Sequence, residues 1–360
     1  MKRILRYLIA IIFIVSGFVK AVDPVGFSFK LEEYFSPSVF NIPFLEQFAL
    51  PIAVFVVALE LILGVMLLLK IKLRSTLISL ISLCVFFGFL TFYSAYFHVV
   101  TDCGCFGDAI KFTPWQSFWK DIALLAGLIL LWVLNKKSGS LSNEKSCLKL
   151  PILGVFILVT IFIIYRGIKH EPLIDFRDYK IGTDLNAERQ KIRKNPSEYK
   201  TIYTLKNTQN GQTVEVNQDD YINKKEYWEE GTPWKIESDK NKSMLVKQGY
   251  ISAIDKLKLE DETGNDLTDQ ILQMSEVYLL FTYQPKEAGA GNLAKYETEL
   301  QTKFGKNVYG VSTDKNTFTK IPNLTMDGTA IKTIARSNPF VLVLHKGKIV
   351  EKKNAEDFIK

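Results

Sequence analysis

The chain changes character near its middle. Up to Arg166 it is dominated by Leu, Ile, Val and Phe in five long apolar runs, and from Lys169 onward Lys, Asp, Glu, Asn and Thr prevail with short strand-like stretches between them. The runs cover roughly Ile4 to Val22, Pro51 to Leu69, Leu77 to Val99, Trp115 to Leu134 and Leu150 to Tyr165. About 20 apolar residues let a helix cross the hydrocarbon core of a bilayer. The pattern therefore predicts an all-α four-helix membrane bundle over 1–137 and a fifth, shorter transmembrane helix over 150–166. The first run follows Lys2, Arg3 and Arg6 as a signal peptide would, but Lys20, Asp23 and Pro24 stand where a small-residue cleavage site would be, so it reads as retained. Trp115, Trp119 and Trp132 fit interface anchors at the two ends of the fourth run.

The polar half reads as a tether with short helical content over 167–200 followed by a soluble α/β domain over 201–360. Tyr199 to Val216 alternates around Asn210-Gly211, a strong hairpin signal. Pro233 to Glu237, Met244 to Val246 and Leu257 to Glu260 are further strand candidates for a small β region. From about 270 to 360 the order is strand (Val277 to Thr282), helix (Asn292 to Phe304), strand (Val308 to Ser312), helix (Thr329 to Arg336), then Ser337-Asn338-Pro339, strand (Phe340 to His345) and a hairpin through Lys346-Gly347 to Lys348–Lys352. This order resembles a thioredoxin fold, with Asn338 and Pro339 where that fold carries a cis-proline. Where thioredoxins carry Cys-x-x-Cys the chain reads Tyr283-Gln284-Pro285-Lys286-Glu287-Ala288, and no cysteine follows Cys147. Such a degenerate module is expected to bind a chain or a partner through the groove beside Asn338 and Pro339 instead of oxidising it; the alternative is that Pro339 only turns the chain.

Lys plus Arg number 45 against 38 Asp plus Glu, a net charge of +7. The excess forms no basic patch interleaved with aromatics, so no nucleic-acid partner is expected. It flanks the apolar runs instead. Lys2, Arg3 and Arg6, then Lys70, Lys72 and Arg74, then Lys136, Lys137, Lys145 and Lys149 must share one side, and basic residues in short loops favour the cytoplasm. The segment 138–149 is then a cytoplasmic loop, while Asp23 to Leu50, Val100 to Pro114 and the C-terminal domain face outward from a bacterial inner membrane.

Of four cysteines, Cys84 falls in the third run and Cys147 in the cytoplasmic loop, whereas Cys103 and Cys105 share the outer string Thr101-Asp102-Cys103-Gly104-Cys105-Phe106-Gly107-Asp108. Cys84 reads as a packed apolar side chain. Three readings are open for the outer pair. A Cys-x-Cys disulfide closes a small strained ring, and strained, exposed disulfides are the labile or catalytic ones. A static disulfide is the second reading. The third is a metal site recruiting His98, Asp102 or Asp108, against which a lone pair lacks further cysteine ligands, and no metal is assigned. In the redox reading His98 and Asp102 tune the thiols; otherwise His98 is simply an interfacial residue. Glu60, in mid-membrane, must be protonated or paired, as a proton carrier, a head-group ligand or a helix-helix hydrogen bond. Asp121 complements the positive end of its helix.

Arg6, the string Phe13-Ile14-Val15-Ser16-Gly17-Phe18-Val19-Lys20 with Asp23-Pro24, Glu60 with Gly64, and Cys103-Gly104-Cys105-Phe106-Gly107-Asp108 together resemble the DoxX-type membrane proteins and their relative MauE, over roughly Met1 to Leu134. The resemblance implies a four-helix bundle similar to that of vitamin K epoxide reductase and thiol-disulfide chemistry on exported proteins at Cys103 and Cys105. The inner Cys-x-x-Cys of the epoxide reductase has no counterpart here. An electron acceptor, with a quinone the candidate cofactor, must then reach the outer pair directly, or the pair exchanges with another protein. The expected function is extracytoplasmic thiol-disulfide chemistry with exported clients; the alternative is a non-catalytic scaffold subunit of an envelope complex. The orientation has a direct check. A reporter fused after Lys360 is expected to be active only outside the cytoplasm, and cytoplasmic activity would remove the fifth crossing.

Overall fold

The computed structural model describes residues 2–100, 104, 106–110, 112–137 and 148–360. The expectations for Asp102, Cys103, Cys105 and Cys147 fall outside the described residues.

The first half consists of α1 (Lys2–Val22), α2 (Pro24–Phe35), α3 (Pro43–Glu46), α4 (Ala49–Leu69), α5 (Leu73–Phe97), α6 (Pro114–Lys137) and α7 (Lys149–Lys169). Helices α1, α4, α5, α6 and α7 are each long and apolar enough to cross a membrane, and the chain is a membrane protein. Their outward faces carry apolar side chains such as Phe55, Phe89, Leu158 and Phe162, which only a lipid environment leaves without cost. In lipid no hydrophobic force draws helices together, so close packing at small residues does. Helix α1 meets α4 at two such points. A Cβ on Gly17 would lie 2.8 Å from Leu61 Cγ, and one on Gly64 would lie 3.0 Å from Ile14 Cγ1. Helix α5 packs on α6, α1 also touches α6, and α7 runs along α1, α4 and α2.

Helix α2 replaces part of the expected loop from Asp23 to Leu50. Asp23 accepts a hydrogen bond from Gly26 N at 2.8 Å and Pro24 occupies the first turn, the residue types that start a helix. Phe27 and Leu31 then pack into the bundle core. The last turns of α7 close on the same corner: a Cβ on Gly167 would lie 2.7 Å from the Val22 carbonyl oxygen and 2.8 Å from Pro24 Cδ.

The second half carries α8 (Leu185–Lys194), β1 (Glu198–Asn207), β2 (Thr213–Asn217), α9 (Gln218–Asn223), β3 (Trp234–Ile236), β4 (Lys242–Lys247), α10 (Thr268–Gln273), β5 (Val277–Thr282), α11 (Pro285–Ala288), α12 (Ala290–Phe304), β6 (Val308–Ser312), β7 (Asn323–Thr325), α13 (Gly328–Ile334), β8 (Phe340–His345), β9 (Lys348–Asn354) and α14 (Ala355–Ile359). Strand β1 pairs antiparallel with β2, β3 and β4 in a small sheet. A second sheet has the order β7-β6-β5-β8-β9, with β5, β6 and β7 parallel and β8 and β9 antiparallel to their neighbours. All six residues of β5 are buried, as a central strand covered on both faces requires. Val277, Leu279 and Phe281 pack with Ile331 and Ile334 of α13, and Tyr278 and Leu280 with Leu293 and Leu300 of α12. The Asn338-Pro339 bond leading into β8 is cis.

Two expectations are corrected. The stretch 167–200 has the short helical content expected of it, in α8, but is packed and not a free tether, because Tyr179 and Leu185 lie wholly buried in the domain core and Gly182 N and Leu185 N donate to the carbonyls of Ile349 and Gly347 at 2.8 and 2.9 Å. Leu257 to Glu260 forms no strand: Leu257 and Leu259 are core residues, and pairing there is confined to bridges from Glu260 to Asp266 and Thr325. The helix crossing supplies a test. Gly17→Leu should destabilise the bundle by about 1–3 kcal/mol through overpacking, whereas Gly154→Leu, with nothing within 4 Å of the added Cβ, should leave thermal unfolding in detergent unchanged.

Candidate functional site

The two halves meet at the corner where α1 turns into α2. Arg336, which follows α13, is 8% exposed and reaches across the boundary. Its Nε donates to both oxygens of Asp23 at 3.0 and 2.8 Å, and its Nη2 to Asp108 Oδ2 at 2.5 Å. Nearby, Lys332 pairs with Glu32 at 3.0 Å, and the rings of Phe29 and Tyr283 meet edge to face at 5.7 Å. Helix α2 thus lies against the C-terminal half at the end of the central strand β5.

Glu171, delivered by the end of α7, holds the segment before Pro339. It accepts from Arg336 N at 3.0 Å, Ser337 N at 2.9 Å and Ser337 Oγ at 2.5 Å, and pairs with Arg177 at 2.9 Å. Arg177 also binds Asp175 at 2.7 Å, and Lys352 reaches Asp175 at 2.5 Å. Burial disfavours the charged form of Glu171, yet Arg177, Lys352 and the Ser337 bonds outweigh it and hold the carboxyl below its usual range. Asp175 is held low in the same way, against burial, by Arg177 and Lys352. Burial, helped by the Arg177 charge, pushes Lys352 down to about 8 despite Asp175 and Glu171.

Beneath this corner, within the bundle, Lys20 is 2% exposed. It pairs with Glu60 at 2.7 Å and donates to Ser16 at 3.2 Å, and its ammonium lies over the rings of Phe87 and Phe27 at 4.7 and 5.4 Å. Asp121 pairs with Lys120 at 2.9 Å and accepts from Thr91 at 3.4 Å. Ser16, Lys20, Glu60, Lys120, Asp121 and Cys84 are among the residues lining a cavity of about 10 Å³, room for about one water. The described part of the cysteine loop sits directly on this cluster. A Cβ on Gly104 would lie 3.1 Å from Lys30 Cγ and 4.0 Å from Phe27 Cδ2, and Lys120 stands over the Phe106 ring at 5.3 Å.

Several predicted residues change meaning. Glu60 is paired, and its partner Lys20 was missed although it stands in the same apolar run as Gly17. Asp121 lies about two turns inside α6, not at its positive end, and faces the cavity. His98 is exposed at the end of α5 in a left-handed conformation, while among the described residues Lys30, Lys120 and Arg336 bring positive charge to the loop. Asn338 directs its side chain within the domain, accepting from Thr282 Oγ1 and Tyr283 N and donating to the Gln284 carbonyl, and Pro339 is buried. Asp108, considered as a metal ligand, pairs with Arg336. Arg336, Glu171 and Arg177 carried no motif.

Two tests follow from these charges. Glu60→Gln strands the Lys20 ammonium and should cost about 3–5 kcal/mol, while Lys20→Met with Glu60→Leu should recover most of it; proton carrying at Glu60 instead requires Glu60→Gln to lose activity at unchanged stability. The carboxylates of Asp175 and Glu171 bind protons more weakly folded than unfolded, so their stabilisation is present above their ordinary values of 3.8 and 4.5 and is lost as pH falls below them. Lys352, also depressed on folding, acts with the same sign in an alkaline window: stability rises as pH goes from about 8 to 10.5, where the unfolded lysine still holds the proton that the folded one has released. Thermal unfolding against pH, with Lys352→Met as reference, checks both windows.

Residues 1–134 match the model of the family described as methylamine utilisation protein MauE. The chain is 30% identical over 142 residues to Protein TlpB of Flavobacterium psychrophilum, a match covering 39% of this chain and 38% of that protein. The chain therefore spans well under half of that relative's length. No solved structure matches it. The family match takes in the first four membrane helices and the cysteine loop between α5 and α6.

Proposed function

We propose that the chain is a membrane-bound thiol-disulfide exchange protein whose reacting groups are Cys103 and Cys105, working on exported proteins at the face to which the soluble half is attached. The observation that carries this reading is the tie from Arg336 of the soluble half to Asp108, three residues after Cys105, and to Asp23. A soluble domain fastened at a cysteine loop suits a site that must meet other proteins. Lys30, Lys120 and Arg336 around the described loop residues favour a thiolate, the nucleophile of exchange. One thiolate attacks a client disulfide sulfur, the S–S bond breaks, and one client thiolate leaves. The second loop cysteine then attacks the mixed disulfide, releasing the other client thiolate and closing the Cys103–Cys105 bond. Run backward, the same two steps oxidise a client dithiol and leave the loop reduced.

The sheet order β7-β6-β5-β8-β9 with helices on both faces and a cis Asn338-Pro339 bond supports a thioredoxin-like soluble domain. The end of its central strand at Tyr283 is already covered by α2, so clients approach the cysteine loop instead of that end. The same covering favours a second reading, a scaffold with a static disulfide.

Trapping separates the two. Cys103→Ser or Cys105→Ser should accumulate mixed disulfides with exported proteins on non-reducing gels, because one cysteine attacks and the other resolves. No adduct in either variant, with a double variant that still supports growth and partner assembly, would establish the scaffold.

A further inference from the structure

We infer that Arg336 is a positioning residue for the cysteine pair, acting through Asp108, so that the soluble half sets the reactivity of the loop in the membrane half. The inference deepens the exchange reading and rests on it for its function. The loop is built to transmit the tie. Gly107 N donates to the Gly104 carbonyl at 3.0 Å, and both glycines adopt left-handed conformations, with φ of +62° and +51°. That turn brackets Cys105 in sequence, and Asp108 follows it directly. Gly104 rests on Lys30 and Phe27 of α2, and a Cβ on Gly107 would lie 3.3 Å from Val19 Cγ1.

Arg336 uses three faces of its guanidinium at once. Nε takes Asp23, Nη2 takes Asp108, and Nη1 donates to the Lys332 carbonyl. Asp23 at the same time caps α2 through Gly26. The planar fork therefore fixes the loop turn and the start of α2 relative to each other, which the single ammonium of a lysine cannot do. Among the described residues, the charged groups near the loop are Lys30 of α2 with its partner Glu33, Asp23 from the α1–α2 corner, Lys120 and Asp121 from α6, Asp108 itself, Arg336, and Asp175 and Arg177, which line a small cavity with Asp23 and Asp108. Removing the Arg336 charge takes the paired cation from two carboxylates beside the loop and disfavours a thiolate. Removing the Asp108 charge does the reverse.

The test is the pH dependence of alkylation of reduced Cys103 and Cys105 by iodoacetamide, read by peptide mass in the full-length chain in lipid nanodiscs. Arg336→Met should raise the midpoint by about one pH unit, a tenfold lower rate below it, Arg336→Lys should restore it in part, and Asp108→Asn should lower it. Lys332→Met, which cuts a different tie across the junction, should leave it in place. Loosening of the loop alone would move Arg336→Met and Asp108→Asn in the same direction, and that result, or no shift in either, would overturn the inference. If Arg336→Met fails to fold, Asp108→Asn decides alone, since a midpoint that does not fall contradicts the assignment. Midpoints that shift as stated in a chain that traps no client would sink the exchange reading and leave the positioning role standing.

Discussion

The ion pair between Asp23 and Arg336 is the contact on which the arrangement of this protein depends. Both side chains are largely withdrawn from solvent, at 13% and 7% exposure, where an unpaired charge is expensive and a paired one is directional. Asp23 follows α1 and caps α2, so one carboxylate links the start of α2 to the C-terminal half. Helix α2 then carries Phe27 and Lys30 to the cysteine loop and Phe29 and Glu32 to the C-terminal half. A short amphipathic helix becomes the layer between the two parts.

The fifth apolar helix gives this junction its other anchor. Gly167 lets α7 approach the α1–α2 corner, and four residues later Glu171 binds the backbone of Arg336 and Ser337. Arg177, Asp175 and Lys352 extend the network into the sheet through β9. The charges alternate along it, so each buried group has an opposite neighbour, the condition under which such a network can exist away from water. Below it, Lys20 and Glu60 satisfy the same condition between α1 and α4, next to the glycines that let those helices touch.

What could be read in the sequence was what local pattern dictates. The five apolar runs, the hairpin at Asn210-Gly211 and the strands Val277–Thr282, Val308–Ser312 and Phe340–His345 follow from periodicity and turn residues, and they stand where the pattern put them. Helix α2 was hidden because its cap, Asp23-Pro24, read as a loop after an apolar run. Strand β7 has three residues, too few to show a period. Tyr179 and Leu185 looked like tether residues because their burial depends on β9, more than 160 residues away in sequence, through bonds such as Leu185 N to the Gly347 carbonyl. The ion pairs were illegible for the same reason. Lys20 with Glu60, and Asp23 with Arg336, are 40 and 313 residues apart, and nothing in single-sequence spacing joins them.

A double-mutant cycle on Asp23 and Arg336 tests the junction most directly. Unfolding free energies of the full chain in detergent would be measured for wild type, Asp23→Asn, Arg336→Met and the pair. A buried, bidentate contact predicts a coupling energy of at least about 1 kcal/mol, within the range for residues in one charged network. Additive effects, with coupling near zero, would mean that the two halves do not meet at this corner.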